Sequence, residues 1–198
     1  MRCTGTDLLN AHDLLIRGGL RGGDWLGDFG CGAFGHFVFS GATIVGGIGR
    51  VYAIDVQRMA IQTIHRVARQ EQAWHVHPVW ADIESSVPIP SASLDVTLIA
   101  NTFSLLHNRD GFVEEAARVT KPGGRVLMIE WHKRASLLGP HADERISPEE
   151  LHLLMAHPEL ELFDRFDAGD EHYAMVFERL SSNAEPMVIS HSQARITH

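Results

Sequence analysis

The sequence predicts an α/β protein: a mostly parallel sheet in a three-layer, Rossmann-like arrangement, covered by helices on both faces. Three observations carry this reading. Short apolar runs bounded by turn residues alternate with segments of helical period between residues 25 and 131, the pattern of repeated strand–helix–strand units. The first apolar run enters a glycine-rich loop, GDFGCGAFG, ahead of a helix. The last two apolar runs are separated only by residues 167–171, with Ala168-Gly169-Asp170-Glu171 as the turn. That is too short for a crossover, so those strands form an antiparallel hairpin.

Each element has its own justification. Thr6 stands as an N-cap ahead of Leu8, Ala11 and Leu15, which share a helix face, and the glycines of RGGLRGGD end that helix. WLGDFG (25–30) reads as a buried strand, and HFVFSGATIV (36–45) as a helix closed by Gly46, Gly47 and Gly49. RVYAIDV (50–56) is a second strand reaching Asp55. The next segment, 57–70, has helical period through Met59, Ile61, Ile64 and Ala68. WHVHPVWAD (74–82) is a third strand. It contains Pro78, which cannot donate to a ladder, so it belongs at a sheet edge. LDVTLIAN (94–101) is the fourth strand. Residues 109–120 form a helix stopped by Lys121-Pro122-Gly123-Gly124, with the lysine suited to the negative helix end. RVLMIEW (125–131) is the fifth strand. Ser147-Pro148-Glu149-Glu150 supplies an N-cap, an N1 proline and an acidic first turn for a helix running to about His157. LELFDRF (160–166) and HYAMVFERL (172–180) complete the sheet. Residues 1–180 are expected to form one domain, and 181–198, which show no period, a flexible tail.

The bulk properties exclude several function classes. A net charge of −8 disfavours nucleic acid as a partner, because phosphate contacts need a basic surface. Two cysteines, Cys3 and Cys31, are too few for a disulfide framework or a cysteine metal site. His75 and His77 share a strand face but have no third ligand nearby, so no metal is expected. Neither a secretory start nor a membrane-spanning run is visible, and a cytoplasmic location is expected.

The chemistry centres on the glycine loop. Gly30, Gly32 and Gly35 fit G-x-G-x-x-G, the dinucleotide spacing. Asp28, two residues earlier, argues against a pyrophosphate, which it would repel. The same carboxylate suits a cofactor with a cationic amino-acid end. Cys31 lies inside the loop. Asp55 is placed to accept ribose hydroxyls, Asp82 to accept an adenine amino group, and Val56 and Ile83 to sandwich the ring. Ribose and adenine are common to both cofactor types, so these four residues do not discriminate.

DFGCGAFG, VYAIDV, WADIE, SLDVTLIANTFSLLH and RVTKPGGRVLMIEW, in that order and spacing, resemble the motifs of class I S-adenosylmethionine-dependent methyltransferases. The resemblance covers roughly residues 7–180. It implies the strand order 3-2-1-4-5-7-6 with the last strand antiparallel, S-adenosylmethionine as cofactor and S-adenosylhomocysteine as product. One departure is visible: the family's third glycine position holds Phe34, and Gly35 follows, so either the loop is longer by a residue or Phe34 packs beneath it. The stretch IEWHKR…LGP…ERISPEEL is most similar to small methyltransferases of the ubiquinone and menaquinone biosynthesis group.

The acceptor side is less determined, and no catalytic residue is assigned. Asn101 is expected to face the methionine part or the acceptor. His107, Trp131, His172 and Tyr173 are the candidate acceptor-side residues, and Arg134 and Arg145 are either surface groups or partners of an anionic acceptor. A small apolar or amphiphilic acceptor is expected: a quinone precursor, lipid or metabolite. The apolar N-terminal helix leaves room for peripheral lipid contact. Two other readings stay open, a nicotinamide-dependent oxidoreductase and a non-catalytic cofactor-binding subunit.

Overall fold

A computed structural model describes residues 8–181. Twelve elements follow in chain order. They are α1 (Ala11–Arg17), β1 (Trp25–Phe29), α2 (His36–Val45), β2 (Arg50–Asp55), α3 (Arg58–Gln70), β3 (Val76–Trp80), β4 (Leu94–Ala100), α4 (Arg109–Val119), β5 (Thr120–Trp131), α5 (Pro148–Leu154), β6 (Leu160–Asp167) and β7 (His172–Arg179). One seven-stranded sheet has the order β3-β2-β1-β4-β5-β7-β6. β1 to β5 run parallel, and β7 is antiparallel to both neighbours. Among the described residues no helix is long and apolar enough to cross a membrane.

Alternation along the strands divides the core. Leu26, Leu98, Leu127, Ile129, Ala174 and Val176 face one side, against Leu15 of α1, Val38 of α2 and Ile64 of α3. Phe29, Ile99, Met128, Tyr173, Met175 and Phe177 face the other, against Phe112 of α4 and Leu151 of α5. Successive strand residues point to opposite faces, so this division follows directly from sequence parity. Each fully buried Leu, Ile or Phe contributes about 1.5–3 kcal/mol.

Pro78 sits at the edge the sequence required, since among the described residues β3 pairs only with β2. The opposite edge is β6, where the register shifts between Leu162 and Asp164. Phe163, at that bulge, lies under the Arg125 guanidinium, 3.9 Å from the ring centroid.

Several boundaries differ from the sequence expectation. The proposed cap Thr6 lies outside the described residues. Helix α1 starts later, after Asn10, whose side chain accepts from the Asp13 N–H. Helix α5 does have the Ser147–Glu150 capping box, but ends at Leu154 rather than near His157. β3 is shorter than expected, without Trp74, His75, Ala81 or Asp82. Helix α4 ends at Val119, just before the Lys121-Pro122-Gly123-Gly124 run as expected, but β5 starts earlier than expected and the run bulges inside it: Thr120 pairs with Leu94 and Arg125 with Val96. Lys121 pairs with Asp95 at 2.7 Å. The expected tail lies almost entirely outside the described residues, which end at Ser181.

Candidate functional site

A cavity of about 910 Å³ opens at the carboxyl ends of β1, β4 and β5. This is where ligands bind in open parallel sheets. Its floor is the loop between β1 and α2, its wall is the exit of β4, and its roof is Trp131 with the segment Leu137–His141 and Glu144.

The floor is shaped by backbone that only glycine adopts at low cost. Gly30, Gly32 and Gly35 have φ of +82°, +63° and +57°. A Cβ on Gly30 would stand 2.7 Å from the Thr102 methyl, whereas one on Gly32 would meet nothing within 4 Å. The turn is pinned from below: the N–H groups of Gly30 and Cys31 both donate to the Ile54 carbonyl, at 2.8 and 3.0 Å. Asp55 pins it from the side, accepting from Gly32 N–H at 2.9 Å and, through its other oxygen, from Gln57 N–H at 2.7 Å. Gly35 is the N-cap of α2, and Phe34 is 67% exposed. The loop is therefore the longer form, and Phe34 flanks the cavity instead of packing beneath it.

Two polar groups at the cavity have spare capacity, buried Asp28 and half-buried Asn101. Asp28 is 3% exposed, and burial together with the charge of Asp55 raises its carboxyl to about 7. Asn101 has φ +55°, the left-handed region that asparagine tolerates. Its Nδ2 lies 3.2 Å from Nε2 of His172, and its Oδ1 is buried with no hydrogen-bond partner among the described residues. Buried polar atoms are rarely left unpaired, because each costs about 1–3 kcal/mol. Cys31 lines the same space, and burial pushes its thiol up, so it is no thiolate at neutral pH.

The roof hangs on Arg145. This residue is 3% exposed, neither a surface arginine nor an acceptor contact. Its guanidinium donates to four carbonyls: Pro140 at 3.0 Å, His132 at 2.9 Å, Arg134 at 3.1 Å and Leu138 at 2.5 Å. Trp131 is 5% exposed, lies 5.1 Å under the same guanidinium, and stacks on His172 with centroids 4.1 Å apart. Gly139 packs flat on the indole, where a Cβ would approach to 2.7 Å.

The cavity thus brings together Asp28, Gly30, Cys31, Gly32, Gly35, Asn101 and Trp131. Others stand apart from its lining. Asp55 is behind the glycine turn. The Val56 side chain is exposed, and its carbonyl accepts from the Trp80 indole at 2.8 Å. Asp82 is exposed, accepting from Glu84 N–H at 2.9 Å, and Ile83 belongs to the core against α4. His107 is exposed, with its N–H on Glu84. His172 is 1% exposed, one layer behind Asn101 and Trp131. Tyr173 points to the opposite face, donating to the Ile146 carbonyl at 2.8 Å. Neighbours in one strand cannot both face the cavity. The sequence reading missed the roof segment 137–144, together with Gln57, Thr102 and Phe34. The one signal for the roof was Leu137-Leu138-Gly139-Pro140, an apolar turn without helical or strand period.

The glycine cradle, the partnerless Oδ1 and the carboxyl in one cavity match a nucleoside carrying a cationic amino-acid end. A family model described as a methyltransferase domain matches residues 27–128. A ubiquinone/menaquinone biosynthesis C-methyltransferase of Chromobacterium violaceum is 28% identical over 132 residues, covering 67% of this chain and 53% of that protein. The chain therefore spans about half the length of that relative. Among solved structures, a SAM-dependent methyltransferase from Aquifex aeolicus superposes with a TM-score of 0.82 at 26% identity, covering 88% of this chain and 92% of that one. The cyclase SpnF shares the fold with a TM-score of 0.72 at 17% identity, covering 86% of this chain and 80% of that one.

Proposed function

The chain belongs to the class I S-adenosylmethionine-dependent methyltransferase family, and on that premise we propose that it transfers a methyl group to a small apolar or amphiphilic acceptor. The observation that carries the reading is the pair of underused polar groups, Asp28 and Asn101, beside the glycine turn. The cofactor supplies an activated methyl on a sulfonium, a good leaving group. Ionised Asp28 attracts its positive charge. The Gly30–Gly35 turn lets the main chain approach closely, and Asp55 fixes the turn while keeping lone pairs for hydroxyl donors. Val56, Asp82 and Ile83 are proposed to bound the adenine end.

The chain's contribution to the step is alignment and exclusion of water. Trp131, Leu137, Leu138 and Phe34 supply the apolar acceptor side. Of the cavity's titratable lining, His36 is bonded to the Leu9 carbonyl at 2.9 Å and Cys31 stays a thiol, which leaves Asp28 on the floor and His141 and Glu144 on the roof. An acceptor that ionises by itself, or a carbon nucleophile activated by its own ring hydroxyls, needs none of these groups as a base. The C-methyltransferase named above supports quinol-type acceptors as the first class to test. Exposed Phe34, Leu105 and Leu137 follow strand ends on the cavity's side of the sheet and support contact with a lipid surface. A nicotinamide dinucleotide fits less well, because Asp28 occupies the place where phosphate needs donors.

The test is methyl transfer from labelled S-adenosylmethionine to a panel of quinols, phospholipid vesicles and small amines. Label in quinol or lipid supports the reading. Label only in polar amines overturns the acceptor class, and failure to bind the cofactor overturns the activity.

A further inference from the structure

The orphaned oxygen of Asn101 has a cause one layer deeper. His172 is the first residue of β7 and the register partner of Trp131. Its ring braces two cavity-lining groups at once, the Trp131 indole by stacking and the Asn101 amide through Nε2. The ring is held neutral by burial, which pulls it down to about 4. Glu171 opposes that effect, while His132 and Arg145, from the roof segment, reinforce it. Asp167 of β6 faces His132 at 3.2 Å rather than His172. The amide nitrogen can only donate, so the neutral ring accepts it at Nε2, in the tautomer protonated at Nδ1, and the amide oxygen is left over.

We infer that His172 is a positioning residue: by accepting the Asn101 amide N–H it presents Oδ1 at the cavity wall, to receive the α-ammonium of bound S-adenosylmethionine. The inference rests on the cofactor reading above and adds the group that decides which end of the amide the ligand meets. An amide turned the other way would offer N–H donors to a cation.

The test is calorimetric titration of the full chain with two probes, S-adenosylhomocysteine and 5′-methylthioadenosine, the second lacking the amino-acid part. His172→Phe keeps a ring against Trp131 but cannot accept. It should weaken S-adenosylhomocysteine on the order of 10-fold, the loss of one charge-assisted bond, and leave methylthioadenosine within about 2-fold. His172→Gln restores an acceptor and should recover most of the loss. Asn101→Gly keeps the positive φ, removes the oxygen and should reproduce the selective loss; it carries the test if His172→Phe does not fold. Equal weakening of both probes, unchanged binding in the variants, or no recovery with Gln would overturn the role. If the wild-type chain binds neither probe, the cofactor reading itself is wrong and the inference goes with it.

Discussion

The floor and the roof of one cavity are held by opposite means. The floor is main chain tied to the sheet. Its glycines take positive φ, Ile54 accepts two of its N–H groups, and Asp55 accepts a third. The roof has one central tie, the buried Arg145 guanidinium, which gathers four carbonyls between His132 and Pro140. A floor fixed by backbone geometry suits a ligand that never changes. A roof gathered by one side chain can change its residues while keeping its course, which suits an acceptor that differs from protein to protein.

Substitutions can break this contrast, and the largest effect is expected in the floor. Gly30→Val places a β-branched side chain at φ +82° and against Thr102. Calorimetry should show S-adenosylhomocysteine affinity falling by more than about 100-fold, with circular dichroism showing whether the fold survives.

In the roof, Arg145→Met keeps volume but strands four carbonyls. A stability loss of about 2–4 kcal/mol is expected, seen as a lower Tm and new protease cleavage between residues 132 and 145, with S-adenosylhomocysteine affinity changed by less than about 3-fold. A collapse of affinity like that of Gly30→Val would show that the two walls act as one unit.

Asp28 sharpens the comparison through pH. Its carboxyl is raised by burial and by Asp55 to about 7, above the ordinary 3.8, so the folded chain holds this proton more tightly than the unfolded one. That contribution to stability is complete below the unfolded value and is lost as pH rises through about 7. Asp28→Asn, free of that loss, should gain on the order of 2–6 °C in Tm over wild type at pH 8, with the gain shrinking toward pH 4. In wild type the ionised form pairs with a cationic ligand, so S-adenosylmethionine affinity should rise from pH 6 to pH 8 and stay flat in the variant. A rise that persists in Asp28→Asn would assign the titration to another group.

The smallest effect belongs to Phe34, exposed at the junction of floor and cavity mouth. Phe34→Ala should weaken S-adenosylhomocysteine by only about 2–3-fold, while the apparent KM for an apolar acceptor rises more.

The same contrast explains what was legible in the sequence. The floor is local: Asp28, Gly30, Gly32 and Gly35 lie within eight consecutive residues, and their spacing dictates the turn. Strand order follows from the motifs, and Pro78 at an edge from its missing N–H. The roof is non-local. Arg145 reaches back to carbonyls as far away as His132, and main-chain acceptors leave no signature in side-chain identity. Parity was available and unused: His172 and Tyr173 are adjacent in a strand, so at most one could approach the cavity. The Lys121–Gly124 run was legible as the end of α4, but not as a bulge in β5, because proline and glycine mark bulges as readily as helix ends.

The two flanks of the sheet carry a consequence for how this molecule meets copies of itself. On one flank Pro78 removes a donor from the outermost strand, and on the other the bulge at Phe163 bends the ladder beneath Arg125. Exposed strand edges are templates for further strands, and both of these are blunted. Two molecules therefore lack a straight row of main-chain groups with which to extend one sheet into the next. Crowded solutions of the folded chain should resist fibrillar growth, and self-association should proceed through the helical layers or the apolar mouth of the cavity.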